Sequence, residues 1–394
     1  MLTLHVFRQR LIMGNFPDAD AQARVRLFAS ASSWIEGAAR LQLQQLAGRP
    51  GMLAVAGMPD LHPGHHGPVG CAALARGVVF PEIIGTDIGC GMQFWPLDLP
   101  ERRLKRDKAV ERLAALEGVW EGDARALLAE HGVDAGAHAD QIGTVGGGNH
   151  FCEVQAVETL VDAAAGMAAG LAPGGLALLV HSGSRGFGAE VRARHHVDGT
   201  AGLALEGAGA DYLADHDAAL RYARLNRRVI AWRALQAVRA DGEERIDSPH
   251  NLAERQGDLV LHRKGAAPSD RGLVPVPGSR GTLTYLVEPL APPDGALSSL
   301  AHGAGRKHDR ASMSGRMRAA AGSLDRLIRT PLGGHVICTD RQLLMEEAPD
   351  AYKDIDKVVA DLEAKGLARV VAVLRPVLTF KTARIRREQD RRGR

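Results

Sequence analysis

The chain has 394 residues, and its 45% hydrophobic and 24% charged residues are ordinary for a globular protein. The formal net charge of +3 is lower than we expect of a protein dedicated to coating nucleic acid. No segment has the pattern of a secretory leader or the apolar length of a membrane span. The four cysteines form no C-x-x-C pair, so neither a zinc knuckle nor a redox pair is indicated, and we expect a cytoplasmic protein with reduced thiols.

Strands and helices are predicted along the whole chain. Residues 52–94 alternate apolar runs with Gly and Pro, as short buried strands joined by turns do. Residues 211–240 place Leu225, Val229 and Trp232 at helical spacing. The other predicted elements are an opening strand and a helix at 35–46, helical structure at 101–133, a buried strand at 176–180, strands at 256–290, and helices at 307–330 and 354–366. Because no repeat, linker or composition break divides the chain, we predict one large α+β domain over residues 1–394.

The C-terminal residues 381–394 are strongly basic. Only Glu388 and Asp390 are acidic in this stretch. Such a cluster can contact phosphates, or it can be a solvated tail. The basic residues are Lys381, Arg384, Arg386, Arg387, Arg391, Arg392 and Arg394.

The first motif that suggests chemistry is G-T-D-I-G-C-G-M at residues 85–92, directly after an apolar stretch. Asp87 and Cys90 lie three residues apart in a turn that its glycines make pliable. A carboxylate and a thiolate so placed can converge on one or two divalent ions. The alternative is a side-chain-capped turn beside a buried cysteine.

The second motif is G-T-V-G-G-G-N-H-F at residues 143–151. Three consecutive glycines have no use in a core strand, but they let the backbone approach a bulky polar group such as phosphate. Asn149 and His150 project from this loop, although a simple turn with a hydrogen-bonded histidine remains an alternative.

Three further histidines head similar turns. His181 ends an apolar run and begins H-S-G-S-R-G, which contains Arg185. His250 lies in S-P-H-N, and His302 lies in A-H-G-A-G-R, which ends at Arg306. Imidazole suits a transition metal and guanidinium suits phosphate. Together with Asp87 and Cys90, the set predicts a metal centre with a phosphate-handling pocket. Walker, dinucleotide-binding, H-E-x-x-H and nucleophile-elbow motifs are all absent.

These motifs, in this order, resemble the RtcB family of RNA ligases. The resemblance covers the chain from about residue 50 to Lys381. Two segments, M-P-D-L-H-P-G at residues 58–64 and S-L-A-H-G-A-G-R-K at residues 299–307, resemble those of the compact branch of the family that is linked to peptide chain release factor H. The supporting motifs are D-x-G-C-G-M (87–92), G-G-G-N-H-F (146–151), H-S-G-S-R-G (181–186), H-R-K-G-A (262–266), P-G-S-x-G (277–281), H-G-A-G-R (302–306) and A-Y-K-D-I-D (351–356).

The resemblance implies mixed β-sheets with helices around a central metal cleft that holds two Mn²⁺ ions. Cys90 would bridge the ions, with Asp87 and His150 completing one site and His181 and His250 the other. His302 would be the nucleophile that takes GMP from GTP, with Asp60 and Arg185 as further catalytic residues. The residues implied to hold the nucleotide are Asn149, Glu153, Gly303, Ala304, Gly305, Arg306, Tyr352 and Lys381.

The implied reaction joins an RNA 3′-phosphate or 2′,3′-cyclic phosphate end to a 5′-hydroxyl end. The substrate would be transfer RNA halves or cleaved ribosomal RNA, and the branch resemblance favours ribosomal damage. A functional link to release factor H, an activator of the archease type and a monomeric state are also expected. Two alternatives are a metallophosphoesterase that opens cyclic phosphates without ligation and a non-catalytic RNA- or ribosome-binding factor. The intact motif around His302 favours ligation.

The sequence departs from the family pattern in two places. Many members continue after the H-P-G at residues 62–64 with a Lys or Tyr, whereas this chain has His65 and His66. These could alter RNA contacts or add a metal ligand, or they could simply be exposed to solvent. Many members also end at or just past the position of Lys381, whereas this chain continues for thirteen basic-rich residues. A terminal carboxylate contact to guanine is therefore in doubt.

Overall fold

The structure is a computed structural model that describes residues 23–319 and 325–382. Its strands are β1 (Arg24–Leu27), β2 (Met52–His62), β3 (Val69–Arg76), β4 (Val78–Val79), β5 (Gly91–Pro100), β6 (Phe151–Leu160), β7 (Gly175–Ser182), β8 (Leu203–Ala204), β9 (Ile246–Pro249), β10 (Asn251–Gln256), β11 (Leu259–Lys264), β12 (Ala266–Pro268), β13 (Val274–Pro277), β14 (Thr284–Pro289), β15 (Ser299–Ala301), β16 (His335–Ile337) and β17 (Ala368–Phe380).

The helices are shorter and more scattered, apart from one of 31 residues. They are α1 (Gly37–Ala47), α2 (Pro81–Ile84), α3 (Arg106–Leu113), α4 (Ala124–Glu130), α5 (Ala163–Ala168), α6 (Arg185–Arg194), α7 (Ala208–Val238), α8 (Arg310–Ala319), α9 (Asp325–Ile328), α10 (Arg341–Glu346) and α11 (Ile355–Ala364). Single 3₁₀ turns lie at Glu101–Arg103, Ala114–Glu117, Gly136–Gln141 and Pro349–Ala351.

Two mixed sheets form the frame of the described residues. The larger has the strand order β13-β14-β17-β6-β7-β5-β9, with β16 added beside β17. The smaller has the order β1-β2-β3-β11-β10, in which only β1 and β2 run parallel. Two-stranded pairs, β12 with β15 and β4 with β8, complete the sheets. The predicted α+β class is confirmed.

Both main sheets are covered by apolar residues on both faces. In β2, Val55 packs into one core, whereas Ala54 and Ala56 on either side of it pack into another. In β7, Leu178 and Leu179 likewise point into different cores. Because successive strand residues point to opposite faces, a strand buried on both sides must be apolar throughout. This explains the apolar runs at residues 52–56 of β2 and 176–180 of β7.

The predicted elements agree with the structure in most places. The helices expected at 35–46, 211–240 and 354–366 are α1, α7 and α11. The expectation of a helical region at 101–133 was partly wrong, because only α3 and α4 are α-helical there, joined through 3₁₀ turns. Trp232 was expected on the buried face of α7 but is 40% exposed. The basic residues 384–394 lie outside the described part of the chain.

Candidate metal centre and active-site cleft

Four of the predicted ligands lie at one end of the larger sheet. The neighbouring strands in the order β6-β7-β5-β9 are antiparallel, so β5 and β6 begin where β7 and β9 end. Cys90 and His150 directly precede β5 and β6, whereas His181 lies near the end of β7 and His250 directly follows β9. Antiparallel pairing therefore brings these four residues together although they are far apart in sequence.

The ligands form two groups that share Cys90. One group is Cys90 with His181 and His250, and the other is Cys90 with Asp87 and His150. Within each group the candidate ligand atoms lie within 4.8 Å of one another. Cys90 Sγ is 3.3 Å from His150 Nε2 and 3.2 Å from His181 Nε2. The structure thus brings the whole predicted ligand set together, with Cys90 between the two groups.

The electrostatics of these donors fit divalent cations. Burial raises the pKa of the Cys90 thiol well above its usual value, and Asp87 adds to the effect. Burial lowers the pKa of His181 and of His250 well below the usual range, so both rings are neutral, which is the form that binds metal. Burial opposes ionisation of Asp87, but the neighbouring His150 outweighs it and lowers the pKa. A bound cation would stabilise the thiolate in this buried place.

Hydrogen bonds and close polar contacts position the ligands. The Nδ1 of His181 lies 3.3 Å from the carbonyl oxygen of Asn149, which leaves Nε2 directed toward Cys90. Asp87 Oδ2 is 2.8 Å from His150 Nε2. Arg185 lies on the outer side of His150, with Nη1 3.4 Å from the ring's Nδ1. It has a positive φ of 56° and is not among the residues that line the cleft.

Helix α7 supplies a support that sequence reasoning missed. The guanidinium of Arg227, which is 1% exposed, donates to the carbonyl oxygens of Gly89 at 2.6 Å and Ser182 at 2.9 Å. It also pairs with Asp247 at 2.7 Å. The neighbouring Asn226 donates to Gly183 O at 3.1 Å. These side chains hold the loops of two ligand motifs, and nothing in the sequence distinguishes them from other polar residues of a helix.

The second wall of the cleft carries His302, which directly follows β15. Its Nδ1 lies 2.7 Å from Oδ2 of Asp60, and its backbone N–H donates to the same oxygen at 3.2 Å. Asp60 is fully buried in β2. Gly305 has a φ of 72°, and a Cβ there would lie 2.2 Å from the Asp60 carbonyl oxygen, so this turn requires glycine. The ring centroids of His302 and His250 are 4.6 Å apart, which places His302 beside the metal ligands.

Both walls enclose one cleft of about 800 Å³. The predicted residues His150, Asp60 and Arg185 stand behind its surface rather than in it. The predicted site residues that line the cleft are Asp87, Cys90, Asn149, Glu153, His181, His250, His302, Gly303, Ala304, Gly305, Arg306, Tyr352 and Lys381. Distant parts of the chain therefore meet in one cleft, as the motifs predicted.

At one end of the cleft, Glu347 organises residues that the sequence did predict. It is 2% exposed, and its carboxylate accepts from Arg306 Nη1 at 2.9 Å and from the hydroxyl of Tyr352. Arg310 approaches it at 3.5 Å. The Arg306 guanidinium lies over the Tyr352 ring at 5.3 Å. Glu347 was not predicted, because a single glutamate at the end of a short helix gives no sequence signal.

Two more cleft residues were missed although quoted motifs contain them. Lys264 donates through Nζ to Ile84 O at 2.7 Å and lines the cleft. Arg280 donates through Nη2 to Leu344 O at 2.8 Å. Both lie within family-like motifs, so weighing each charged residue of those motifs would have found them.

Lys381 belongs to this cleft and not to the basic tail with which its sequence position grouped it. It is 5% exposed, and its Nζ donates to His150 O at 2.9 Å. Burial lowers its pKa to about 8. Burial also raises the pKa of Glu153 to about 7, although Thr379 and Gln155 donate hydrogen bonds to its carboxylate.

Buried thiol and imidazole donors, a partly buried carboxylate and a nearby Asp–His pair together form an enzyme-like cleft that could hold metal ions. A family model described as "tRNA-splicing ligase RtcB" matches residues 42–119 and 109–382. RNA-splicing ligase RtcB2 of Escherichia coli is 44% identical, over 94% of this chain and 99% of that protein. RNA-splicing ligase RtcB of Mycobacterium tuberculosis is 32% identical, over 86% of this chain and 99% of that protein. The tRNA-splicing ligase RtcB of Archaeoglobus fulgidus is 28% identical, over 85% of this chain and 89% of that protein.

The chain therefore belongs to the RtcB family. The predicted family is confirmed, and with it the prediction of an RNA ligase at the level of the family. Among the helices in residues 23–319 and 325–382, none combines the length and apolar character that crossing a membrane requires.

Proposed function

We propose that this protein joins an RNA 3′-phosphate or 2′,3′-cyclic phosphate end to a 5′-hydroxyl end, using GTP and two Mn²⁺ ions. The observation that carries the proposal is the position of His302. It pairs with buried Asp60 at 2.7 Å and lies next to His250 of the ligand cluster. A phosphoesterase would need the metal-ligand cluster but would not need His302, which lies outside that cluster. Membership of a family of RNA ligases supports the same conclusion.

His302 is suited to act as a nucleophile. Asp60 accepts the hydrogen bond from Nδ1, which fixes the ring and leaves the lone pair of Nε2 free. In our proposal, Nε2 attacks the α-phosphorus of GTP, an N–P bond forms and pyrophosphate leaves. A cyclic end is first hydrolysed by water to the 3′-phosphate. An oxygen of the RNA 3′-phosphate then attacks the phosphorus of the bound GMP, and the N–P bond breaks with its electron pair returning to Nε2. The 5′-hydroxyl oxygen attacks that activated phosphorus, and GMP leaves with the electron pair of the broken bond.

The ligand groups around Cys90 would hold the two ions. When bound, the ions would neutralise phosphate charge and orient the attacking oxygen. The choice of manganese comes from the family resemblance, because the mixed Cys, His and Asp donors suit several divalent metals.

The part of the cleft lined by Glu153, Arg306, Tyr352 and Lys381 would hold the guanine nucleotide. Glu153 offers carboxylate oxygens, which suit the N–H donors of guanine. Lys381 and Arg306 supply positive charge near Asn149, and Tyr352 supplies an aromatic face. The backbone of Gly303, Ala304 and Gly305 would pass close to the transferred phosphate.

Incubation with labelled GTP followed by denaturing electrophoresis tests the proposal. The wild-type protein should retain label, and His302→Ala should lose it while it keeps its metal content and thermal unfolding shows that it is still folded. His308→Ala, a nearby histidine outside the cleft lining, is the matched control and should keep the label.

His302→Ala should still seal RNA that already carries the activated 3′-guanylate. A labelled His302→Ala protein would refute the nucleophile. A wild-type protein that opens cyclic phosphates but is never labelled would favour the phosphoesterase.

We also propose that the physiological task is RNA repair linked to peptide chain release factor H, with ribosomal RNA preferred over transfer RNA halves. The branch resemblance of residues 58–64 and 299–307 supports this choice. An archease-type activator would accelerate the guanylation. Sealing rates on cleaved ribosomal and transfer RNA, each measured with and without the activator, test these points.

A further inference from the structure

A second cleft of about 580 Å³ opens beside the main one. Both clefts are lined by His65, His66, Gly67 and Ile83, most of which belong to the loop between β2 and β3. The two spaces therefore meet at this loop. The main cleft contains the metal ligands, and the loop with the two histidines lines both clefts. We call the second cleft, which is lined by Gln42, Gln45, Arg49, His65, His66 and Thr200, the side groove.

The loop that carries the two histidines is firmly held. The side chain of Gln42 in α1 donates to Gly64 O at 2.9 Å and accepts from Gly64 N at 3.1 Å. The Nδ1 of His62 lies 2.9 Å from Asp60 O. A Cβ at Gly64 would lie 2.3 Å from Gly67 O, so the turn is as tight as glycine allows. Anything bound at this loop therefore meets a fixed surface.

The side chains presented by this loop are two exposed rings in contact. The ring centroids of His65 and His66 are 4.7 Å apart, and the planes are inclined by 41°. Exposed imidazole rings offer flat faces on which nucleobases can stack, and such stacking tolerates any base. If the two histidines only stabilised the fold, we would expect at least one of their rings to be buried.

The side groove also carries a guanidinium that makes no side-chain hydrogen bond through Nη1 within the described part of the chain. Arg49 packs over the Phe80 ring at 5.4 Å, and its Nη1 is buried without a hydrogen-bond partner among the described residues. The acidic group at the same junction, Glu82, is paired with Arg192 at 3.3 Å. Lys264 adds a cation where the side groove meets the main cleft. Arg49 is half-buried and lines the side groove, so its guanidinium charge can attract a phosphate oxygen there.

We propose that the side groove binds single-stranded RNA next to the reacting end, with bases stacked on His65 and His66 and a backbone phosphate on Arg49. The inference rests on the proposed RNA ligation and deepens it, because it assigns the strand a path distinct from the nucleotide end of the cleft. Because His65 and His66 line both clefts, a strand stacked on them would extend from the groove toward the ligand cluster. Both the strand with the 3′-phosphate end and the strand with the 5′-hydroxyl end offer bases and backbone phosphates, so either one fits the groove.

The test compares His65→Ala/His66→Ala and Arg49→Gln with two control variants. His131→Ala removes an exposed histidine far from the cleft, and Arg40→Gln removes an exposed arginine of α1. Each joined strand is supplied in turn as a dinucleotide or as an oligonucleotide of about ten nucleotides. Sealing kinetics, labelling by GTP and anisotropy of fluorescent single-stranded RNA are measured. Thermal unfolding shows that every variant is folded.

We expect the groove variants to raise KM about tenfold for the longer form of one strand, which identifies the strand in the groove. Labelling by GTP and sealing of dinucleotides should be unchanged, and RNA binding should weaken by a similar factor. Groove variants that match the controls in KM and RNA binding would overturn the inference while leaving ligation intact. If the wild-type protein seals no RNA, the proposed function fails, and the anisotropy measurement alone then decides whether the groove binds RNA.

Discussion

Cys90 is the side chain on which both candidate metal groups depend. Its Sγ stands between His150 and His181, and it belongs to both groups. Other buried cysteines of the chain, such as Cys152, lie among apolar residues. The difference between a ligand and a core cysteine is therefore one of surroundings and not of burial.

We expect Cys90→Ala to lose most bound metal and all activity while keeping the fold, because alanine offers no donor and fills most of the same volume. Metal analysis of the purified protein and thermal unfolding check this. Cys152→Ala is the control, and it should keep its metal at a stability cost of about 1 kcal/mol. Normal manganese content in Cys90→Ala would refute the bridging role.

Glu153 and Lys381 predict the pH dependence of guanylation. The carboxyl of Glu153 has a pKa raised to about 7, so it is ionised only above that value. The amine of Lys381 has a pKa lowered to about 8, so it is charged only below that value. If both charges bind GTP, labelling of the enzyme should be fastest between about pH 7 and pH 8 and fall on both sides.

Two substitutions separate the limbs of this profile. Glu153→Gln should flatten the acid limb, and Lys381→Arg should flatten the alkaline limb, because neither new side chain titrates in this range. His181 and His250 are neutral well below pH 7 and should not shape the upper part of the acid limb. A rate that stays constant from pH 8 down to roughly pH 5 would contradict the assignment of Glu153.

At the scale of elements, the long helix α7 acts as the support of the ligand loops. Arg227 binds the carbonyl groups next to the Asp87–Cys90 turn and at the end of β7. Apolar spacing predicted the helix correctly, and Leu225 and Val229 are buried as expected. The same spacing gives no reason to bury an arginine, since the partners of Arg227 come from remote loops and from Asp247.

We expect Arg227→Met to destabilise the protein by about 3–5 kcal/mol, because it leaves Asp247 and two carbonyl groups without their buried partner. Urea unfolding measures this change, and metal content should fall with it. Arg228→Met is the control on the same helix. Its ion pair with Glu244 is more exposed, so the loss should be at most about 1 kcal/mol. Equal losses in both variants would show that the buried pair has no special role.

At the scale of the whole molecule, positive charge is unevenly placed on a chain whose net charge is only +3. Lys381 points into the cleft, so residues 384–394 carry the remaining six basic residues of the C-terminal cluster. We propose that this tail assists RNA binding by electrostatic attraction and takes no part in the chemistry.

Deleting residues 384–394 should raise the RNA concentration needed for sealing and flatten its dependence on salt, because fewer phosphate counterions are released. Titrations of the full-length and shortened proteins across a salt series measure this. Labelling by GTP in the absence of RNA serves as the internal control and should not change. Loss of that labelling would place the tail in the nucleotide pocket instead.

Local sequence patterns specify the kinds of donor and the turns that present them. Asp87, Cys90, His150, His181 and His250 stand next to glycines, prolines or strand ends, and such local signals are readable along a chain. The same is true of His302, whose turn contains a glycine at positive φ. The family-like order of these motifs then predicted one shared cleft.

Which residues support that cleft depends instead on long-range packing. Antiparallel pairing places the starts of β5 and β6 beside the ends of β7 and β9, and no local pattern encodes that register. Glu347 and Arg227 are buried polar groups, which are tolerated only where partners satisfy them. Those partners lie far away in sequence, so their burial becomes visible only when the chain is folded.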